Sequence, residues 1–212
     1  MKEENFLLEM NKEQQLLNII QHIEDPIAQK TEWIPLNRHA ASFITHKLIK
    51  KSFSQMQFEA TLELKIFYLF PAVFGIFLGM VFSDSFNIII FIICIILILA
   101  GLLLYFFNTK PIIFDKNKGY IWKGKIKDYP YQIIENNKIK YISLNQIYAI
   151  QLLRSSVGWV VSYEINLVLK DGKRYDVIGH YNLEKIKEDA ETLSKFLQIP
   201  LWDITYFKKW NY

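Results

Sequence analysis

Four histidines are the residues best suited to acid–base or metal chemistry, and none of them has the spacing of a known site. The sequence contains no H-x-x-x-H or H-E-x-x-H arrangement, in which two imidazoles share one face of a helix. One of them, His180, lies between a predicted strand and a predicted helix, where a general base or a metal ligand can sit, although a capping or surface role is the commoner explanation. We therefore assign no metal and no cofactor to the chain. The four are His22, His39, His46 and His180.

Nucleophiles and phosphate-binding loops are also missing as motifs. The chain has no G-x-S-x-G, no P-loop and no G-x-G-x-x-G. The acidic pair Glu188–Asp189 lies beside Lys185 and Lys187 on a predicted helix, which is typical of a solvated face. The single cysteine, Cys94, lies in the most apolar stretch and has no second cysteine to pair with. Since no set of residues supplies acid, base and nucleophile together, we predict that the protein is not an enzyme.

The overall charge does not indicate a nucleic-acid partner. The net charge is +4 and the pI is about 8.9, and the lysines are scattered along the chain instead of forming a basic block. Hydrophobic residues make up 51% of the chain and charged residues 22%, and the two kinds are segregated. From Ile66 to Phe107 the only formal charge is Asp84.

This apolar stretch predicts a hairpin of two transmembrane helices, at 66–82 and 88–107. About 20 residues cross a hydrocarbon core of about 30 Å, and about 17 is the lower limit. The short connection Ser83–Asn87 carries no Lys or Arg, whereas lysines flank both spans on their other sides. By the positive-inside rule both termini are cytoplasmic, which predicts a multi-pass membrane protein.

Small residues in the two spans indicate where their backbones approach. Gly75 and Gly79 form a G-x-x-x-G step in the first span, and Ala100 and Gly101 lie in the second. We favour packing within the hairpin, and packing against another copy of the chain is the alternative. Neither span holds an Arg, Lys, Glu or His, so transport by a single chain is not expected.

The remaining sequence predicts an α+β module. A helix over Glu3–Glu24 ends at Pro26, and strand signals flank the hairpin on both sides. The run Tyr163–His180 alternates about Asp171-Gly172, which predicts a β-hairpin, and an amphipathic helix over Leu183–Leu197 is capped by Asn182. We expect an antiparallel sheet covered by a C-terminal helix. The domains are 1–41 (helix and linker), 42–64 (first β-hairpin, with strands 42–49 and 56–64), 65–107 (membrane hairpin) and 108–212 (the α+β domain).

Two groups of residues are candidates for binding. The segment 154–159 combines Arg, Gly and Trp and is a candidate contact loop for a protein partner, although a plain strand connection also explains it. Lysines after the second span are candidates for contact with anionic lipid headgroups. The partner candidates are Arg154, Trp159, Trp202 and Trp210, and the lipid candidates are Lys116, Lys118, Lys123 and Lys125.

Three stretches carry a resemblance to known proteins: SFITHKL at 42–48, PIIFDKNKGYIWKG at 111–124, and the run from YEINLVLKDGKR at 163–174 to DAETLSKFLQIPLWD at 189–203. They resemble an uncharacterised family of proteobacterial inner-membrane proteins. More broadly, the arrangement is similar to bacterial pleckstrin-homology-like (PH-like) membrane proteins, in which a two-span hairpin is joined to a small β-sheet domain. The resemblance implies a PH-like fold and no catalytic role, and it suggests a toxin-immunity or accessory role beside contact-dependent toxin systems.

Overall fold

The computed structural model describes residues 14, 18, 20, 23–36, 43–83, 87–124, 141–157 and 160–206, and structural statements below concern these residues. The predicted helix over 3–24 lies mostly outside them. Residues 14, 18 and 20 are helical, and Pro26, which was expected just after that helix, occupies the first turn of the short helix α1 (Pro26–Lys30), where its missing N–H is not needed.

The first sheet has five antiparallel strands in the order of the chain. They are β1 (His46–Lys50), β2 (Gln55–Ala60), β3 (Ile112–Asp115), β4 (Tyr120–Lys123) and β5 (Tyr141–Ser143). Between β2 and β3 the chain forms two long helices, α2 (Leu62–Val81) and α3 (Ile88–Asn108). Because Phe58 pairs with Ile112 and Gln55 with Asp115, the sheet continues across this excursion as if it were a hairpin turn.

The second sheet follows, in the order β8-β7-β6-β9. Its strands are β6 (Ile147–Val157), β7 (Val160–Leu169), β8 (Arg174–His180) and β9 (Leu201–Asp203), with α4 (Leu183–Leu197) between the last two. The expectation of an antiparallel sheet is wrong for β9, which pairs with β6 in parallel. The reversal arises because α4 carries the chain back across the sheet before β9 begins.

One apolar core lies between the two sheets and α4. Its largest fully buried members include Phe58, Phe114, Leu152 and Leu167. The predicted bounds of α4 and its cap are confirmed, since Asn182 Oδ1 accepts the Lys185 N–H at 2.9 Å. Ile186, Ala190 and Leu193 form its buried stripe.

The first hairpin ends earlier than the sequence indicated. The alternation through Met56–Leu64 predicted a strand over that whole range, but β2 ends at Ala60. Thr61 caps α2, since its Oγ1 accepts the Leu64 N–H at 3.4 Å, and α2 therefore begins at Leu62. Pro71 lies within α2 and does not end it.

Glycines allow α2 and α3 to pack closely. A Cβ on Gly101 would lie 2.5 Å from the backbone nitrogen of Ala72, and a Cβ on Gly75 would lie 2.9 Å from the carbonyl oxygen of Cys94. A Cβ on Gly79 would meet only Cys94 Sγ, at 4.0 Å, and Ala100 is half-buried. The structure thus brings Gly75 and Gly101 into the contact between the two helices and leaves Gly79 at its edge.

Gly101→Ala is expected to lower the thermal midpoint of the full-length chain in detergent, because the new methyl group has no room against Ala72. The expected loss in the free energy of unfolding is about 1–3 kcal/mol, as for other overpacked sites. Gly79→Ala is the matched control, with an expected change near zero. Equal midpoints for the two variants would contradict the close approach of the helices at Gly101.

Candidate binding face of the second sheet

A segment before the first sheet lies across the outer face of the second sheet, opposite the core. We call residues 23–36 the N-terminal strap. Asp25 caps α1 by accepting the Ile27 N–H at 2.8 Å, and Thr31 ends the helix. Beyond it the burial alternates: Thr31, Trp33 and Pro35 are buried, and the residues between them are exposed. This period of two is that of an extended chain lying flat on a surface.

The first half of the strap is held by aromatic packing. The Trp33 ring lies 5.6 Å from the Trp202 ring, and Trp202 lies 6.0 Å from Tyr148 (centroid distances). Trp33 Nε1 donates to the Ala28 carbonyl at 2.9 Å, and the Tyr148 hydroxyl donates to Asp25 Oδ2 at 2.8 Å. The strap therefore has an apolar anchor with satisfied polar ends. The apolar cluster under it comprises Ala28, Trp33, Ala149, Leu153, Val168, Trp202 and Ile204.

The second half is held through its main chain. Gln151 Nε2 donates to the Glu32 carbonyl at 3.1 Å, and Arg174 Nη1 donates to the Ile34 carbonyl at 2.7 Å. The Leu36 N–H donates to Glu164 Oε1 at 2.6 Å. Three alternate positions of the strap are thus bound by side chains of three different strands. The contacts to Ile34 and Leu36 are made with the main chain, whereas Arg174 Nη2 also donates to the side-chain oxygen Oε2 of Glu32 at 3.3 Å.

Strand register explains why these polar side chains share one face. Gln151 pairs with Asn166, and Asn166 pairs with Asp176, so the three lie side by side across β6, β7 and β8. Arg174 Nη1 also donates to Gln151 Oε1 at 3.1 Å, and Asn166 Nδ2 donates to Glu164 Oε1 at 2.6 Å. The polar row is therefore connected by hydrogen bonds beneath the strap.

Two oxygens of this row are left without a partner. Within the described part of the chain, Asn166 Oδ1 and Asp176 Oδ1 are buried and accept no hydrogen bond. Asn166 is fully buried, and Asp176 is half-buried. Burial, with a further contribution from the nearby Glu164 carboxyl, raises the pKa of Asp176 to about 7. The face thus offers two acceptors that the strap does not use.

Histidines occupy a separate seam between β1 and the end of β8. His180 Nδ1 accepts the Asn182 N–H at 3.2 Å, so this residue links β8 to the cap of α4. Thr45 Oγ1 donates to the Gly179 carbonyl at 3.0 Å and joins the two sheets there. Burial lowers the pKa of both His46 and His180 to about 4, which keeps the rings neutral at physiological pH. No group of metal-binding side chains was found among the described residues.

The predicted partner contacts fall in different environments. Arg154 is half-buried and lies in β6 paired with Tyr163, so the predicted contact loop is strand as far as Val157. Trp202 is only 5% exposed and packs against Trp33. Trp159 and Trp210 lie outside the described residues. The role of Trp202 in contacting a partner stays a prediction, and in this structure its ring faces the strap.

The candidate lipid-binding lysines do not form one patch. Lys116 and Lys118 lie in the turn between β3 and β4, about 13 Å along the strand from the helix end of the sheet. Their ammonium groups lie over the rings of Phe196 (4.6 Å) and Trp122 (5.2 Å). Lys123 lies at the helix end, where the Gly124 N–H donates to the Pro111 carbonyl at 2.8 Å. Lys125 lies outside the described residues.

The polar row and the strap were not identified from the sequence. Residues 31–36 lie within the segment that had been interpreted as a linker containing Trp33 and Pro35. The alternation Thr31, Trp33, Pro35 was the available signal, together with a run of polar residues on the outward positions of β6–β8.

No protein-family model matches the chain, and no curated protein matches it.

Trp33→Ala is expected to detach the strap, because it removes the aromatic anchor of the apolar cluster. Replacing a buried Trp by Ala lowers the free energy of unfolding by about 3–5 kcal/mol. Faster amide hydrogen exchange over 26–36 is the expected readout, in the full-length chain in detergent. Ile34→Ala is the matched control, because that side chain is 43% exposed. Unchanged exchange in Trp33→Ala would show that the aromatic contact does not hold the strap.

Asp176→Asn is expected to change the pH dependence of stability. A carboxyl with a higher pKa in the folded chain than in the unfolded chain contributes its full stabilisation of the fold below the unfolded pKa, near 4. That stabilisation is lost as the pH rises through the folded pKa of Asp176, which is about 7. The stability of the variant relative to the native chain should therefore increase between pH 5 and pH 8, by about 2 kcal/mol.

Asp171→Asn is the control for this experiment. Asp171 is exposed, and Lys173 lowers its pKa, so its titration lies below the tested range. Its difference from the native chain should stay constant from pH 5 to pH 8. A constant difference for Asp176→Asn as well would show that this carboxyl is not perturbed.

Proposed function

We propose that the chain is a non-catalytic integral membrane protein whose cytoplasmic PH-like domain binds a protein partner. One observation carries this proposal: the outer face of the second sheet already binds an extended segment through its main chain and one aromatic side chain. Backbone recognition at alternate positions, with a pocket for one side chain, is a common way for a sheet domain to bind a peptide segment.

The membrane anchor is supported by the exposure of α2 and α3. Both helices are long and apolar enough to cross a membrane, and only 17% and 11% of their most apolar windows are buried. A core helix of a soluble domain of this size would be covered by protein instead. Lys110 lies at the end of α3 with its ammonium 5.1 Å from the Phe107 ring, as expected for a residue at a membrane interface. The lysine distribution supports an inner-membrane location with both termini cytoplasmic.

The PH-like assignment is supported by the order of elements. Eight consecutive antiparallel strands, β1–β5 and β6–β8, are followed by one amphipathic helix, which packs on both β6 and β7, and the parallel strand β9 comes after it. The membrane hairpin is an insertion between β2 and β3. The sequence resemblance described above agrees with this arrangement, and it is the sole basis for a toxin-immunity or accessory role.

A lipid-binding or membrane-sensing scaffold is the second candidate. The position of Lys110 and Lys123 at the helix end of the first sheet favours it, because both would lie near anionic headgroups. Lys116 and Lys118 do not add to such a surface, since they lie at the opposite end of β3. Lipid contact would then involve fewer lysines than the sequence predicted.

A crosslinked pull-down of the full-length chain from its native membrane tests the proposed function. We expect one stoichiometric protein, identified by mass spectrometry, that is lost in Arg174→Ala and kept in Lys173→Ala. Arg174 binds the strap main chain with a side chain only 4% exposed, whereas the Lys173 side chain is 66% exposed. Recovery of lipid alone, or of a protein retained equally by both variants, would contradict binding at this face.

A further inference from the structure

The strap satisfies the face of the second sheet only in part. Its main chain uses Gln151, Arg174 and Glu164, and Trp33 fills the apolar pocket. Asn166 Oδ1 and Asp176 Oδ1 remain buried without a donor among the described residues. A buried acceptor without a donor has lost its hydrogen bonds to water and gained none in return, which destabilises the fold. The face is therefore built for a donor that the strap does not supply.

The position of the missing donor follows from the register of the strap. Residues 31, 33 and 35 of the strap face the sheet. Position 35 lies between two hydrogen-bonded positions: Ile34, which is bound by Arg174, and Leu36, which is bound by Glu164. Asn166 lies within this same stretch, since it pairs with Asp176 and donates to Glu164. The strap places Pro35 there, and proline offers neither an N–H nor a polar side chain.

The chemistry of the row defines the donor. One of the two free oxygens belongs to the Asp176 carboxyl, which also feels the charge of Lys123, and the Glu164 carboxyl lies nearby, while Arg174 is already bound to the Ile34 carbonyl. A lysine or arginine side chain supplies several N–H donors, enough for both oxygens at once. A cleft of about 370 Å³ borders the strap and is lined by Glu32, Leu36, Lys173 and Arg174 among others, while Asn166 and Asp176 lie outside it.

We propose that the outer face of the second sheet is a groove for an extended segment of a partner protein with the pattern aromatic-x-basic, and that the N-terminal strap occupies this groove in cis with Trp33-Ile34-Pro35. The partner's aromatic residue takes the place of Trp33, and its lysine or arginine donates to Asn166 Oδ1 and Asp176 Oδ1. The strap is thus a weaker internal competitor of the partner. This inference rests on the proposed function.

Synthetic peptides provide the direct test. The probes are residues 29–36, the same peptide with Pro35→Lys, and a third that carries both Pro35→Lys and Trp33→Ala. The target is the full-length chain in lipid nanodiscs with its own anchor removed by Trp33→Ala. We expect the Pro35→Lys peptide to bind about tenfold more tightly than the native peptide, as one charge-assisted hydrogen bond can give. The peptide without Trp should not bind.

Variants of the chain locate the contact. In a target that also carries Asp176→Ala, the preference for the Pro35→Lys peptide should fall below about threefold, because half of the acceptor pair is gone. Glu191→Ala, which removes a 58% exposed carboxyl on α4, should keep the tenfold preference. Equal affinity of both peptides for the Trp33→Ala chain would overturn the proposed basic position, and no binding of either would overturn the groove.

A second measurement avoids dependence on the Trp33→Ala chain. Pro35→Lys introduced into the full-length chain should raise Tm by about 3–5 °C, and this rise should vanish when Asp176→Ala is also present. A buried proline replaced by lysine would ordinarily destabilise, so a fall in Tm that is equal in both backgrounds would overturn the inference.

The outcomes separate this inference from the proposed function. A partner recovered by the pull-down in an Arg174-dependent way, without any peptide preference, would overturn the inference and leave the proposed function standing. Peptide binding with the expected preference, but no partner from the native membrane, would support the groove and overturn the proposed function. Recovery of only a second copy of the chain would overturn the separate partner protein as the occupant.

Discussion

The pairing of β2 with β3 is the constraint on which the rest of the architecture depends. Phe58 lies opposite Ile112 in the antiparallel pair of β2 and β3, although two apolar helices separate the two residues in the chain. The chain must therefore leave β2 and enter β3 at the same end of the sheet. This requires α2 and α3 to run antiparallel and to pack together. Gly75 and Gly101 make that packing possible, and Thr61 makes the change from strand to helix abrupt. The first sheet is thereby fixed directly at the base of the hairpin, with Phe58 and Phe114 in the core that it shares with the second sheet.

A second consequence concerns the outer face of the second sheet. Its inner face is filled by the common core, so the polar residues of β6–β8 are directed outward, where a sheet in a small domain is normally solvated. Here they are instead covered, because the strap crosses them and buries Gln151, Glu164 and Asn166. Such residues are tolerated under a cover only where their hydrogen bonds are satisfied. The strap supplies backbone partners for two of them, Gln151 and Glu164.

Local signals predicted the local elements. The bounds and cap of α4 and the existence of both apolar helices follow from periodicity, from Asn182 and from length, which depend on near neighbours alone. Three features were missed. The end of β2 was placed too late, because Thr61-Leu62-Glu63-Leu64 alternates like a strand, and the other two features depend on distant contacts. The parallel pairing of β9 results from the return of the chain after α4, and the binding face joins the strap to residues more than a hundred positions away.

The most direct test of the central claim, a membrane hairpin set into a sheet domain, is the sidedness of labelled cysteines. Single-cysteine variants Ser85→Cys, between α2 and α3, and Ser52→Cys, in the exposed turn between β1 and β2, would be made in a Cys94→Ala background. A membrane-impermeant maleimide is then applied to spheroplasts. The predicted result is that Ser85→Cys is labelled in intact spheroplasts, and Ser52→Cys only after the membrane is opened. Labelling of both positions from the outside, or protection of Ser85→Cys until lysis, would contradict the hairpin and its orientation.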